Sequence, residues 1–171
     1  MEPPVRMTGK LDPRGAWKAD RCSIAAALEV ISKRSAFLIL REAFWGTTRF
    51  DDFAERVGIS EPVTAARLRE LVEAGLLERE SYREPGERAR QLYRLTPKGL
   101  ELFPALVALQ QWGDRWLETG GGVELRHRDC GEHVGVELRC TAEHRVGPGE
   151  VDLALRAGGR RARAAGERSP V

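Results

Sequence analysis

The chain has few cysteines, almost no net charge and no long apolar run, and each absence removes a class of protein. Three cysteines in 171 residues, Cys22, Cys130 and Cys140, are too few and too unevenly spaced for the disulfide framework of a small secreted domain. The opening MEPPVRMTGK lacks the apolar run of a signal peptide. No stretch approaches the roughly 20 apolar residues of a membrane-spanning helix. A cytoplasmic protein with no membrane partner is therefore expected. Lys plus Arg number 28 against 26 Asp plus Glu, a formal net charge of +2. Attraction for a polyanion must then come from local arginine clusters rather than from the whole molecule. A Gly-rich phosphate loop, a nucleophile elbow and a convincing acid–base pair are also missing, so no enzyme is expected. A chain of this length can hold one good core and a small appendage.

What is present is concentrated between Arg49 and Trp116. RFDDFAERVG (49–58) places Phe50, Phe53, Ala54 and Val57 on one helical face. Gly58 stops that helix, and Ile59-Ser60 leads into EPVTAARLRELVEAG. Ser60 is predicted as an N-cap whose hydroxyl accepts from the next turn, and Pro62 is harmless where N–H groups have no helical partner. Two short helices across so brief a turn read as a helix-turn-helix, whose second helix enters the major groove of DNA. With Thr64, Leu68 and Leu71 inward, the outward arc holds Pro62, Val63, Ala66 and Arg69, with Arg67 to one side. Arg69 or Arg67 would meet guanine or phosphate, and Val63 and Ala66 would touch thymine methyls. Much of the specificity would then lean on DNA shape and on the element that follows.

That element is a hairpin. LLERESYR (76–83) and RQLYRLT (90–96) favour extended chain, with a turn at Glu84-Pro85-Gly86-Glu87. Arg79, Arg83, Arg88, Arg90 and Arg94 make it a basic ribbon, diluted by Glu78, Glu80, Glu84 and Glu87. Packed after a helix-turn-helix it is a wing, with Arg83, Arg88 and Arg90 near phosphates or the minor groove. The competing reading is a solvated charged hairpin.

Before the helix-turn-helix, helical signal runs from Cys22 to Trp45, with Ile24, Leu28, Ile31, Phe37, Leu38 and Leu40 as core candidates. Ser32-Lys33-Arg34-Ser35 divides it, and Gly46 ends it as a C-terminal cap. After the wing, Thr96 caps and Pro97 begins a last long helix. Its Leu100, Phe103, Leu106, Val107, Leu109, Trp112 and Trp116 are too many for one stripe, so a second face is expected to bury against the same helix of a homodimer. Pro104 inside it predicts a kink. A two-fold dimer puts the reading helices about one DNA turn apart, so the double-stranded operator should be a near-palindrome. Phe37, Phe103, Leu109, Trp112 and Trp116 would line that interface or an apolar pocket for a small-molecule effector.

These blocks also carry a family resemblance. CSIAAALEVISKRSAFLILREAFWGTTRFDDF, GIS followed by RLRELVEAGLLER, and YRLTPKGLELFPALVALQQWGDRW resemble the HxlR group of winged-helix regulators, relatives of MarR. The match runs from about Cys22 to Trp116, with REAFWG before RFDDF, LVEAGLLER and YRLTPKG as its most specific pieces. The resemblance implies a dimeric bacterial DNA-binding regulator, more often a repressor than an activator. It also implies that Cys22 senses oxidants or electrophiles, as a cysteine at this place often does in the family. A helix start and Arg21 both favour its thiolate, but the core offers no intrachain resolving cysteine, and a half-buried structural thiol is the alternative. Relatives commonly carry Trp where this chain has Ser35.

Past Trp116 the character changes. Gly120-Gly121-Gly122 is a linker, and VELRHRDC and VGVELRCTAEH read as two short strands around Gly131. His127-x-x-Cys130, then Cys140 and His144, resembles a truncated zinc ribbon, with His133 as a further candidate ligand. Glu143 stands where a last cysteine would be, so a hairpin that merely packs competes with a structural zinc. EVDLALRAG adds a possible strand, and GGRRARAAGERSPV is a basic tail with no means of forming a core.

The sequence thus predicts a mainly α (α+β) protein: a winged helix-turn-helix with a long dimerisation helix and a small C-terminal β-hairpin extension. Its expected parts are a flexible segment 1–19, the winged helix and dimerisation helix 20–118, a β-rich extension 119–157 and a disordered tail 158–171. The expected function is sequence-specific transcriptional regulation as a homodimer. The alternative is a non-DNA protein-interaction module on a degenerate winged-helix scaffold, which the apolar recognition arc favours and the wing arginines oppose.

Overall fold

The computed structural model describes residues 4–12, 22–82, 90–118 and 122–155. Its elements run β1 (Arg6–Met7), α1 (Ser23–Ile31), α2 (Arg34–Phe44), α3 (Phe50–Val57), α4 (Glu61–Glu73), β2 (Leu77–Tyr82), β3 (Arg90–Leu95), α5 (Pro97–Leu100), α6 (Phe103–Trp116) and β4 (Asp152–Leu153). They divide between two compact units, Arg21–Val136 and Met1–Asp20 with Glu137–Val171. The sequence placed the main boundary at 118–119; the larger unit instead continues to Val136.

In the larger unit α2 is the central helix. Its Ala36, Ile39 and Leu40 join Phe53 and Val57 of α3, Leu68 and Leu71 of α4, and Leu76 and Leu77 in one buried cluster. Each Val, Ile, Leu or Phe among them, when fully buried, stabilises by about 1.5–3 kcal/mol. Because α3 and α4 already cover that face of α2, α1 is left at the margin and has no buried residue. Ile24 and Leu28, expected in the core, are 72% and 49% exposed. Leu40 is buried as expected, while Phe37, Leu38 and Ile31 are half-buried.

The last helix differs from the predicted one. It is divided into α5 and α6, with Pro104 in the first turn of α6. A proline there lacks only an N–H that has no helical partner, so it starts a helix instead of kinking one. Thr96 caps α5 as expected, its hydroxyl accepting from Gly99 N at 3.1 Å. That hydroxyl donates to Gly75 O at 2.6 Å, which ties the end of α4 to the exit of the wing.

Past the linker, the two predicted strands are two tight turns, each closed on itself. Arg126 bridges His133, with His127 N donating to Glu132 O and Val134 N to Leu125 O, both at 2.8 Å. Arg139 bridges Arg145, with Cys140 N on His144 O and Val146 N on Leu138 O at 3.0 Å. Local bonds satisfy these backbones, so no ladder forms. The first turn belongs to the larger unit and the second to the smaller.

In the smaller unit β1 pairs in parallel with β4, Arg6 opposite Asp152 and Met7 opposite Leu153. Arg6 closes the pair as a fork, Nε and Nη2 each 2.7 Å from an Asp152 carboxylate oxygen. Residues 4–12 of the segment predicted to be flexible therefore hold a strand and a 3-10 turn (Gly9–Leu11). The predicted C-terminal strand is present but short; the tail predicted for 158–171 lies outside the described residues.

Candidate nucleic-acid interface

Glycines at two helix ends set the turn and the wing. Gly58, at φ +68°, ends α3, with its N–H on Glu55 O (3.1 Å) and Ile59 N on Ala54 O (3.2 Å). Gly75, at φ +69°, ends α4 with the same bond pattern, Gly75 N on Val72 O and Leu76 N on Leu71 O, both 2.9 Å. Both are Schellman ends, which require a left-handed residue and so select glycine.

Ser60 starts α4 in extended conformation, but its hydroxyl makes no capping bond. The Thr64 hydroxyl, fully buried, instead donates back to Ser60 O at 3.1 Å, beside the helical bond from Thr64 N at 2.9 Å. Ser60 is exposed and its side chain remains available to an incoming acceptor or phosphate.

Thr64, Leu68 and Leu71 anchor α4 inward. Opposite them Glu61, Pro62, Val63, Ala65, Arg69 and Glu73 are exposed and Ala66 is half-exposed. Ala65, which the sequence reading left out, lies at the edge of the outward arc; its helical phase beside Arg69 was the available signal. Arg67 is not on the arc. Its side chain is only 17% exposed, and its guanidinium is bonded to Glu70. Lys33 completes the group, Nζ 2.9 and 3.2 Å from the two Glu70 oxygens. The Lys33 hydrogen bond, with Arg67 beside it, holds the Glu70 carboxyl below its ordinary pKa. No sequence signal links Lys33 to Glu70, because they meet only through the packing of α2 against α4. Among the described residues Arg69 has only a loose contact, Nε 3.9 Å from Glu73, with both side chains about 70% exposed.

The wing is an antiparallel β2–β3 pair with Leu77 opposite Leu95 and Tyr82 opposite Arg90. It is anchored by the Tyr93 ring, edge-on to buried Phe53 at 6.3 Å, and by Tyr93 N on Thr48 O at 2.8 Å. Arg49 bridges Leu92 through the backbone and sets its guanidinium over the Tyr82 ring at 5.8 Å. Arg94 is tied across the strands to Glu80 at 3.1 Å, and Arg79, Arg90 and Arg94 are all exposed on the ribbon. Arg83, Arg88 and the turn expected at 84–87 lie outside the described residues.

The other candidates are dispersed. Cys22 is half-buried at the N-cap of α1. A cavity of about 360 Å³ lies between α2 and α6, walled by Phe37, Leu38, Trp45, Leu106 and Leu109 with Arg41 and Asp114. Phe37 and Leu109 belong to it as expected. Phe103 packs on Phe44 instead, ring centroids 5.1 Å apart, and Trp112 and Trp116 are 55% and 66% exposed. His127 Nδ1 is 3.2 Å from Cys130 Sγ, in the larger unit, while Cys140 and His144 belong to the smaller. Among the described residues no three His, Cys, Asp or Glu are gathered as a metal ion would need. Nor is any helix among them long and apolar enough to cross a membrane.

Comparison with known proteins agrees with this geometry. The HxlR-like helix-turn-helix family matches residues 30–120. An uncharacterised HTH-type transcriptional regulator of Mycobacterium tuberculosis is 47% identical over 121 residues, 70% of this chain and 75% of the relative. One from Synechocystis is 33% identical over 98 residues, 57% of this chain and 71% of its own. Among solved structures, the transcription-factor candidate PA1607 is similar at TM-score 0.72 and 35% identity, covering 81% of this chain and 96% of that one. PA1374 of Pseudomonas aeruginosa is similar at TM-score 0.57 and 32% identity, covering 82% and 95%.

Proposed function

This chain belongs to the HxlR-like helix-turn-helix family, and on that premise we propose that it is a transcriptional repressor that binds a near-palindromic operator as a homodimer. Its relatives are named as transcriptional regulators, and it is a regulator rather than an enzyme. One observation carries the DNA-binding reading. The face of α4 opposite its core anchors is exposed, and a wing with exposed Arg79 and Arg90 is fastened through Tyr93 to the same core. Helix and ribbon together suit a major groove and the adjoining backbone.

The homodimer is supported by the apolar surface of α1 and α6. Ile24, Leu28, Leu109, Trp112 and Trp116 are all about half exposed or more. Scattered apolar residues are ordinary on a surface, but so many on two helices mark an interaction face. A second copy, docked through a two-fold axis, covers the same face on both chains and spaces the two α4 helices for one operator. An apolar effector in the cavity beside Phe37 and Leu109 would alter that spacing only by binding one arrangement better than the other.

The test is titration of purified protein with the DNA upstream of its own gene, against a scrambled duplex, at two salt concentrations. Tight binding that prefers the upstream duplex and weakens with salt is expected. Failure to bind either duplex at low salt refutes the reading and favours the protein-interaction module.

A further inference from the structure

Resting on the DNA-binding reading, the exposed arc of α4 determines what base sequence it can recognise. We infer that each half-site is read by one hydrogen-bonding cation, Arg69, on a guanine, flanked by thymines whose methyl groups meet Ala65, Ala66 and Val63. The arc Pro62, Ala66, Arg69 and Glu73 follows helical spacing opposite Thr64, Leu68 and Leu71. Of the two arginines on α4, Arg67 is only 17% exposed and bonded to Glu70, which Lys33 also holds. Arg69 is 70% exposed with a single contact, at 3.9 Å, among the described residues, so its guanidinium fork is available for the O6 and N7 acceptors of guanine. Pro62, Val63, Ala65 and Ala66 carry no side-chain donor or acceptor. At the groove floor such residues discriminate only by contact, and thymine is the base that offers a methyl there. Glu61, exposed at the start of the helix, is an acceptor and cannot replace Arg69 on guanine. The half-site is therefore a guanine beside thymines, and the exposed carboxylates Glu61 and Glu73 leave only a base amine, typically that of cytosine, as a further base-edge partner.

The experiment starts by selecting bound duplexes from a randomised library with the full-length protein. The enriched duplex is then resynthesised with deoxyuridine for thymine, which removes the methyl, or with 7-deazaguanine for guanine, which removes N7. The 7-deazaguanine duplex should bind on the order of 10-fold or more weakly, as expected when a bidentate pair is broken. Each contacted methyl removed should cost roughly 3-fold. Arg69→Ala should bind weakly and show no further loss with 7-deazaguanine, whereas Arg67→Ala should retain the full 7-deazaguanine effect. Enrichment of a duplex whose affinity ignores both base analogues overturns the inference and leaves the regulator reading intact. Enrichment of no sequence overturns both.

Discussion

Replacing Gly99 by Ala should destabilise the larger unit, although alanine is the better helix former. A Cβ at Gly99 would sit 2.2 Å from Leu76 O, with Leu76 C and Leu95 Cδ2 at 3.1 Å. An ordinary carbon–oxygen contact needs about 3.3 Å, so the carbonyl must retreat by roughly 1 Å. It cannot do so freely, because Leu76 O accepts from Thr96 N at 3.1 Å. Leu76 itself is also buried in the core. Overpacking of this kind costs about 1–3 kcal/mol or more, set against the ~1 kcal/mol that alanine gains over glycine in a helix. A net loss near 2 kcal/mol would lower Tm by roughly 8 °C for a unit of this size. Thermal denaturation at fixed protein concentration, followed by circular dichroism, reads this directly. A Tm within about 2 °C of the parent would refute the close-packed reading of the wing exit. Gly113→Ala is the control, since nothing lies within 4 Å of its added Cβ. It should raise Tm slightly, and a fall there would mean that a partner helix closes on Gly113.

Three further outcomes are expected. Arg88→Ala with Arg90→Ala should weaken binding to all DNA sequences and flatten the slope of log affinity on log salt by about 0.9 for each phosphate no longer neutralised; an unchanged slope removes the wing from the mechanism. Leu109→Asp with Trp112→Asp should give monomers in sedimentation, and a surviving dimer would place the interface elsewhere. The Arg6 hydrogen bond and charge hold the Asp152 carboxyl below its ordinary pKa, so the β1–β4 pair is favoured above the usual carboxylate range. That support disappears as pH falls through the lowered native value. The protection factor of Thr8 N, which donates to Leu153 O at 3.0 Å, taken relative to the intrinsic exchange rate at each pH, should therefore fall in acid, and Asp152→Asn should remove that fall.

The helix-turn-helix and wing were legible because their signals are local. Apolar spacing in RFDDFAERVG, a glycine after each helix and the Thr-Pro start of α5 each specify backbone within a few residues. The strands Leu77–Tyr82 and Arg90–Leu95 lie within the predicted 76–83 and 90–96, one residue short at Leu77 and at Leu95. What the sequence reading missed depends on residues far apart in the chain. Ile24 and Leu28 have the right periodicity for a core helix, yet α2 has one buried face and α3 and α4 occupy it. Helical phase puts Arg69 on the outward arc and Arg67 beside it, but that Arg67 is tied to Glu70 together with Lys33 follows only from the packing of α2 against α4. The cysteine and histidine turns were mistaken for strands because Val and Leu alternate there, while the bonds that close each turn are local.

The sequence by itself determined the type of fold, the order of its elements, the family and the position of the helix-turn-helix, since periodicity, caps and turn glycines act over a few residues. Tertiary structure decided that Arg67 of α4 shares Glu70 with Lys33, where the apolar surface of α1 and α6 remains uncovered, and that β1 pairs with β4. Those outcomes depend on which faces pack first and which charges find partners, and such contacts join residues that no local pattern relates.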